Sequence, residues 1–178
     1  MKKISKPNYN EYALYYEEYI ESIDSSVSVL NQLKKNAKDN LTLFKTLSEE
    51  ILQSAYAEGK WSIKDIIMHL IDTERVFVYR AMRFVRLDKT SQPFFDENEF
   101  VKNAGANAIS TKNLLKEYTA CRNFTLAFFN NLNAQQLKQS GVASNFPMSV
   151  RACAWIICGH EMHHLKIIKE RYLSDFFS

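Results

Sequence analysis

Turn-forming residues are scarce in this chain, with four glycines and three prolines spread over 178 positions. A many-stranded β fold reverses direction every few residues and draws on these residue types at each reversal, so this sequence is poorly suited to a sandwich or barrel. Hydrophobic residues make up 46% of it, too many for a disordered chain. An all-α globule is expected, and the length suits one domain over residues 1–178 with a single substantial core.

Apolar spacing divides the chain into four helical stretches. Residues 8–23 carry Tyr9, Tyr12, Tyr15, Tyr16 and Tyr19 and read as part of an N-terminal packing arm, residues 1–26. Val27, Leu30, Leu33, Leu41, Phe44 and Leu47 then mark a first helix over 27–47. Ser62 is placed to cap a second, running to about Leu87 with Ile63, Ile66, Ile67, Leu70, Val76 and Phe77 on its apolar side. Residues 88–110, with Pro93, Gly105, Phe94, Phe95 and Phe100, read as a long loop holding one short helix. Ser110 caps a third helix over 111–131. After a connector over 133–147, Ser149 caps a fourth that runs towards Tyr172, followed by Phe176 and Phe177. No strand pattern is evident, and a four-helix bundle follows.

The net charge of +3 comes from 23 basic and 20 acidic residues scattered along the chain, so no nucleic-acid partner is indicated. Arg80, Arg83 and Arg86 fall near the end of the second helix, where cations favour the negative end of the dipole. Cys121, Cys153 and Cys158 form no C-x-x-C pair, and the first 16 residues lack the apolar core of a signal peptide. A reducing cytoplasm is expected. No apolar run approaches the roughly 18–20 residues needed to span a bilayer, so no membrane association is expected.

Four histidines occur, three of them in Gly159-His160-Glu161-Met162-His163-His164. Helical positions four apart lie about 40° apart around the axis, so His160 and His164 can face one ion, whereas His163 lies roughly 60° to the other side of His160. His69 sits among Ile66, Ile67 and Leu70 on a different helix, where an imidazole is costly without a partner. Taken singly, His69 reads as a hydrogen-bonded core residue and the His160 pair as an exposed helix face. Facing helices of a bundle would instead bring both places to a common metal. The pattern His160-Glu161-Met162-His163-His164 also matches H-E-x-x-H, with Glu161 as the general base of a zinc protease. The metzincin continuation is missing, because Ile167 and Glu170 stand where Gly and His are required.

Two blocks resemble the DinB-like, bacillithiol-transferase-related superfamily. They are Gly59-Lys60-Trp61-Ser62-Ile63-Lys64-Asp65 through His69-Leu70-Ile71-Asp72-Thr73-Glu74-Arg75, and Ser149-Val150-Arg151-Ala152 through His164; the likeness extends through Phe94-Phe95-Asp96-Glu97. The resemblance implies a four-helix bundle of the DinB-like type with a divalent metal held by His69, His160 and His164, zinc foremost and nickel, iron or manganese as alternatives. It also implies a homodimer and a small-molecule substrate. Characterised members include S-transferases and isomerases that use a low-molecular-weight thiol.

Three imidazoles leave a divalent ion with open positions, as in catalytic rather than structural zinc. The leading expectation is a thiol-dependent S-transferase acting on small electrophiles. The alternatives are a non-catalytic metal- or ligand-binding bundle and a metal-dependent hydrolase in which Glu161 has the catalytic role. Asp65 and Asp72 are near enough in sequence to support the histidines, or else they are solvent-facing charges. The three cysteines read as small core residues.

Overall fold

The structure, a computed structural model, describes residues 2–174. Phe176 and Phe177 lie outside the described residues. In chain order the helices are α1 (Glu17–Glu21), α2 (Val29–Thr46), α3 (Glu49–Gln53), α4 (Ile63–Val85), α5 (Glu97–Ala104), α6 (Thr111–Asn131), α7 (Ala134–Leu137) and α8 (Val150–Ile167). The long helices α2, α4, α6 and α8 make a four-helix bundle in which α4 packs against α8 and α6, and α2 packs against the same two. Serine caps begin three of them, as their positions suggest. Ser62 Oγ accepts from the Asp65 amide at 3.0 Å, Ser110 Oγ from Asn113 at 3.4 Å and Ser149 Oγ from Ala152 at 3.1 Å. The last helix continues beyond Ile167 as a wider turn, Ile168–Tyr172.

One expectation is corrected. The connector before the last helix is not free of strand, because β1 (Ser140–Ala143) and β2 (Phe146–Ser149) pair antiparallel. The pair is short, and its turn uses Ser144 and Asn145, at φ 53° and 68°, in place of the usual glycine. No periodic signal survives in strands of four residues. The hairpin tip also grips the long loop, since the Gln92 amide donates to the Val142 carbonyl and the Ser144 amide to that of Gln92, both at 2.9 Å.

The core has two apolar halves. Leu33, Phe77, Phe84, Phe129 and Ile156 belong to one, and Phe44, Ile67, Leu114, Tyr118 and Leu165 to the other. Between them runs a buried polar layer. Arg122 of α6 donates to Glu74 of α4, to Glu161 of α8 and, at 2.8 Å, to the Leu33 carbonyl of α2. Tyr118 donates to the same Glu161 and accepts from Asn40 of α2 at 3.1 Å. One guanidinium thus touches all four long helices.

The N-terminal arm is packed down, with Ile4, Tyr12, Ile20 and Ile23 buried in the first core half. It meets α8 at Gly159, where a β-carbon would collide with the Tyr19 carbonyl. This glycine is needed for the approach of another backbone rather than for a turn. No helix among the described residues is long and apolar enough to cross a membrane.

Candidate metal centre

Asp65 closes the capping box that starts α4, its carboxylate accepting from the Ser62 amide at 3.0 Å. It fixes where α4 begins, one turn before His69, and the histidine therefore points at α8. There the i, i+4 pair His160 and His164 comes from the opposite side. Nε2 of His69 stands 3.0 Å from Nε2 of His160, which stands 3.1 Å from Nε2 of His164. One ligand atom from each of the three lies within 4.8 Å of the others. His163 is outside this cluster and exposed, its ring 5.3 Å from that of Tyr19.

The rings are held by aromatic neighbours. Trp61 lies 4.8 Å from His69 and stacks on His164 at 6.4 Å, and Tyr19 meets His160 edge-on at 5.5 Å. Burial disfavours the imidazolium form. It pushes His69 down to about 4 and His164 to about 3, and it holds His160 well below the usual histidine range, with the neighbouring imidazoles adding to the effect. Neutral imidazoles are the form that binds metals.

Three neutral nitrogens facing one another present lone pairs that only a shared cation or a proton can reconcile. Zinc at about 2.0–2.1 Å from each of three tetrahedrally arranged nitrogens would set them roughly 3.3 Å apart, close to the spacing found. The donor set therefore fits a divalent ion.

The carboxylates are placed elsewhere. Glu161 adjoins His160 in sequence but turns into the polar layer, where both of its oxygens accept from Arg122 at 2.8 and 2.9 Å and one also accepts from Tyr118. The carboxylate expected from the sequence as a general base is thus bonded within the bundle interior and does not line the histidine cavity. Asp72 pairs with Arg75 at 3.5 Å. The cysteines are buried core residues, with burial pushing the Cys121 and Cys153 thiols up to about 12 and Cys158 up as well.

The histidines stand at one end of a cavity of about 430 Å³ that is walled by Trp61, Tyr16, Tyr19 and Phe77 and edged by Phe94 and Phe95. Thr73 and Arg80 line it too. They follow His69 by four and eleven positions, which keeps all three within about 40° on one face of α4. That spacing was available in the sequence, where Arg80 reads only as a helix-terminal cation; instead its guanidinium is buried and bonded to the Pro93 carbonyl at 2.7 Å and to Ser144 Oγ at 3.1 Å.

The DinB superfamily model matches residues 32–168, which include all three histidines. The chain belongs to the DinB superfamily. A protein of Oceanobacillus iheyensis named a "putative metal-dependent hydrolase" is 26% identical over 126 residues, 70% of this chain and 72% of its own length. A solved structure of YfiT from Bacillus subtilis superposes with a TM-score of 0.71 at 16% identity, covering 96% of this chain and 93% of that one. YfiT is described as "a probable metal-dependent hydrolase with an unusual four-helix bundle topology". At that identity the likeness establishes the DinB bundle fold. In this chain the cluster of His69, His160 and His164 is itself a donor set suited to a divalent metal.

Proposed function

We propose that the chain is a metal-dependent enzyme that joins a low-molecular-weight thiol to a small electrophile bound in the histidine cavity. The observation that carries this reading is the convergence of three neutral imidazoles, two of them buried and the third half-buried, on one aromatic-walled pocket. A divalent ion there, zinc by ligand preference, supplies positive charge that favours the ionised form of a nucleophile beside it. His69, His160 and His164 hold the ion, and Trp61 and Tyr19 fix the rings. The aromatic walls exclude water and seat an apolar body.

Thiol addition is preferred over hydrolysis because of what lines the cavity. Its only carboxylate among the described residues is Glu97, on the exposed rim, so water activation lacks a buried base. A thiol, far more acidic than water, has less need of one. Hydrolysis is the second reading, favoured by the names of the two relatives. In that case His163, the remaining imidazole lining the cavity, is the residue placed to take a proton.

The test begins with elemental analysis. About one divalent ion per chain is expected, lost in His69→Ala, His160→Ala and His164→Ala and kept in His163→Ala. The loaded protein is then assayed with bacillithiol, glutathione or coenzyme A and an aryl chloride or epoxide, alongside nitrophenyl ester hydrolysis. Metal-dependent conjugation abolished by chelation supports S-transfer. Ester hydrolysis without conjugation, reduced in His163→Ala, supports the second reading. A metal-free protein with neither activity overturns both. A homodimer is proposed with it, supported by the exposed Tyr9, Leu14 and Tyr15 on the N-terminal arm, and a monomer mass by light scattering would reject it.

A further inference from the structure

Two buried arginines serve this molecule in opposite ways. Arg122 sits between two carboxylates, Glu74 and Glu161, and its charge is neutralised inside the protein. Arg80 is equally hidden, at 2% exposure, yet among the described residues no carboxylate pairs with it. A buried guanidinium without a counter-charge is expensive, and such a charge persists where something supplies the missing anion.

The rest of its surroundings have the form of an anion seat. Nη2 is satisfied by Pro93 and Ser144. Five N–H donors are not filled by two such partners. The guanidinium lies over the Phe77 ring at 5.3 Å, so the side chain runs back along α4 towards Thr73 and the histidines. Thr73, 4% exposed, lines the same cavity, and its hydroxyl has no hydrogen-bond partner. Native structures rarely keep a buried hydroxyl unpaired, and a ligand in the cavity would complete it.

We infer that the cavity takes an anionic small molecule whose carboxylate or phosphate is received by Arg80 and Thr73, while its apolar body lies along the aromatic walls towards the histidines. The inference rests on reading this cavity as the substrate site and adds the chemical class of the substrate. His69 and Arg80 are separated by roughly 16 Å along the α4 axis, less the backward reach of the arginine, so the molecule is elongated. An anion fixed at the far end leaves its other end at the three imidazoles.

Calorimetric titration of 4-phenylbutyrate, phenyl phosphate and the neutral 4-phenylbutanamide into metal-loaded and chelator-treated protein tests this. Both anions are expected to bind at least tenfold more tightly than the amide in both forms of the protein. The tighter of the two indicates whether the natural ligand is a carboxylate or a phosphate ester. Arg80→Met should erase the preference while helix content and measured metal content stay unchanged. Thr73→Val, which removes a hydroxyl bonded to nothing, should weaken the anions several-fold without lowering thermal stability, and it serves if Arg80→Met fails to fold. Equal binding of amide and anions, or a preference that survives both substitutions, overturns the inference. A preference seen in loaded protein alone and intact in Arg80→Met would mean that the metal binds the anion, and the inference would fail while the metal reading stood. A chain that holds no metal but still selects anions through Arg80 would leave the inference standing and reject the metal reading.

Discussion

Arg122 on α6 donates to both carboxylate oxygens of Glu161 on α8, at 2.9 and 2.8 Å, and holds Glu74 on α4 at the same time. Glu161 directly precedes Met162 and follows His160, and Glu74 directly follows Thr73. The ion network therefore sets the rotation of the two helices that bear the clustered histidines. When α8 turns Glu161 inward, His160 and His164 are presented to α4.

Removing the cation from this layer leaves two carboxylates buried without a counter-charge, Glu161 keeping only the Tyr118 hydroxyl. Arg122→Met is expected to cost about 3–5 kcal/mol in urea unfolding. A loss under about 1 kcal/mol, the value of an exposed pair, would refute the account of the layer. Glu161→Gln should lower stability while retaining metal, because its carboxylate faces away from the imidazoles.

The metal-free protein should lose stability in acid within a defined window. Its site histidines have folded pKa values pushed below the unfolded value of 6.5, to about 4 for His69 and about 3 for His164. Below pH 6.5 the unfolded chain takes up protons that the folded chain refuses. The contribution is therefore complete above pH 6.5 and is lost as pH falls towards 4, at about 1.4 kcal/mol per unit and per histidine. Urea midpoints of chelator-treated protein measured across pH 4–8 check this, and a flat profile between 6.5 and 4.5 would contradict it.

Gly159→Ala should detach the N-terminal arm. Its new methyl group meets the Tyr19 carbonyl, and backbone cannot yield as a flexible side-chain end can. A destabilisation of about 1–3 kcal/mol is expected, with faster proteolysis within the first 26 residues. Unchanged cleavage kinetics would show that the arm tolerates a wider spacing.

None of the cysteines should act as a nucleophile in the native protein. With Cys121 and Cys153 pushed up to about 12 by burial, the thiolate is scarce and shielded. Ellman's reagent at pH 8 should react slowly until denaturant is added. Rapid labelling of even one thiol would reopen the question of a protein-borne nucleophile.

The bundle was legible because its signals are local. Ser62, Ser110 and Ser149 mark helix starts by their own hydrogen bonds, and His160 and His164 share a helix face by spacing alone. What was hidden depends on partners distant in sequence. Nothing near Glu161 announces that Arg122, 39 positions earlier, will occupy both its oxygens, so the strut-like place of this carboxylate in the bundle was not legible in the H-E-x-x-H pattern. Arg80 was concealed in the same way, because its role arises only when Pro93 and Ser144 are folded against it. Strands of four residues without a glycine turn gave no periodicity to detect.

The three imidazoles stand on rigid, capped helices, whereas Phe94, Phe95 and Ser144, at the opposite end of the cavity, belong to a long loop and the tip of a hairpin. Such segments accept insertions and replacements far more readily than packed helices. Lineages descended from a common ancestor of this kind can therefore exchange the molecules they accept by rewriting two stretches of surface chain. The histidine cluster would pass through that divergence unaltered, and two such chains could share all three histidines while having no substrate in common.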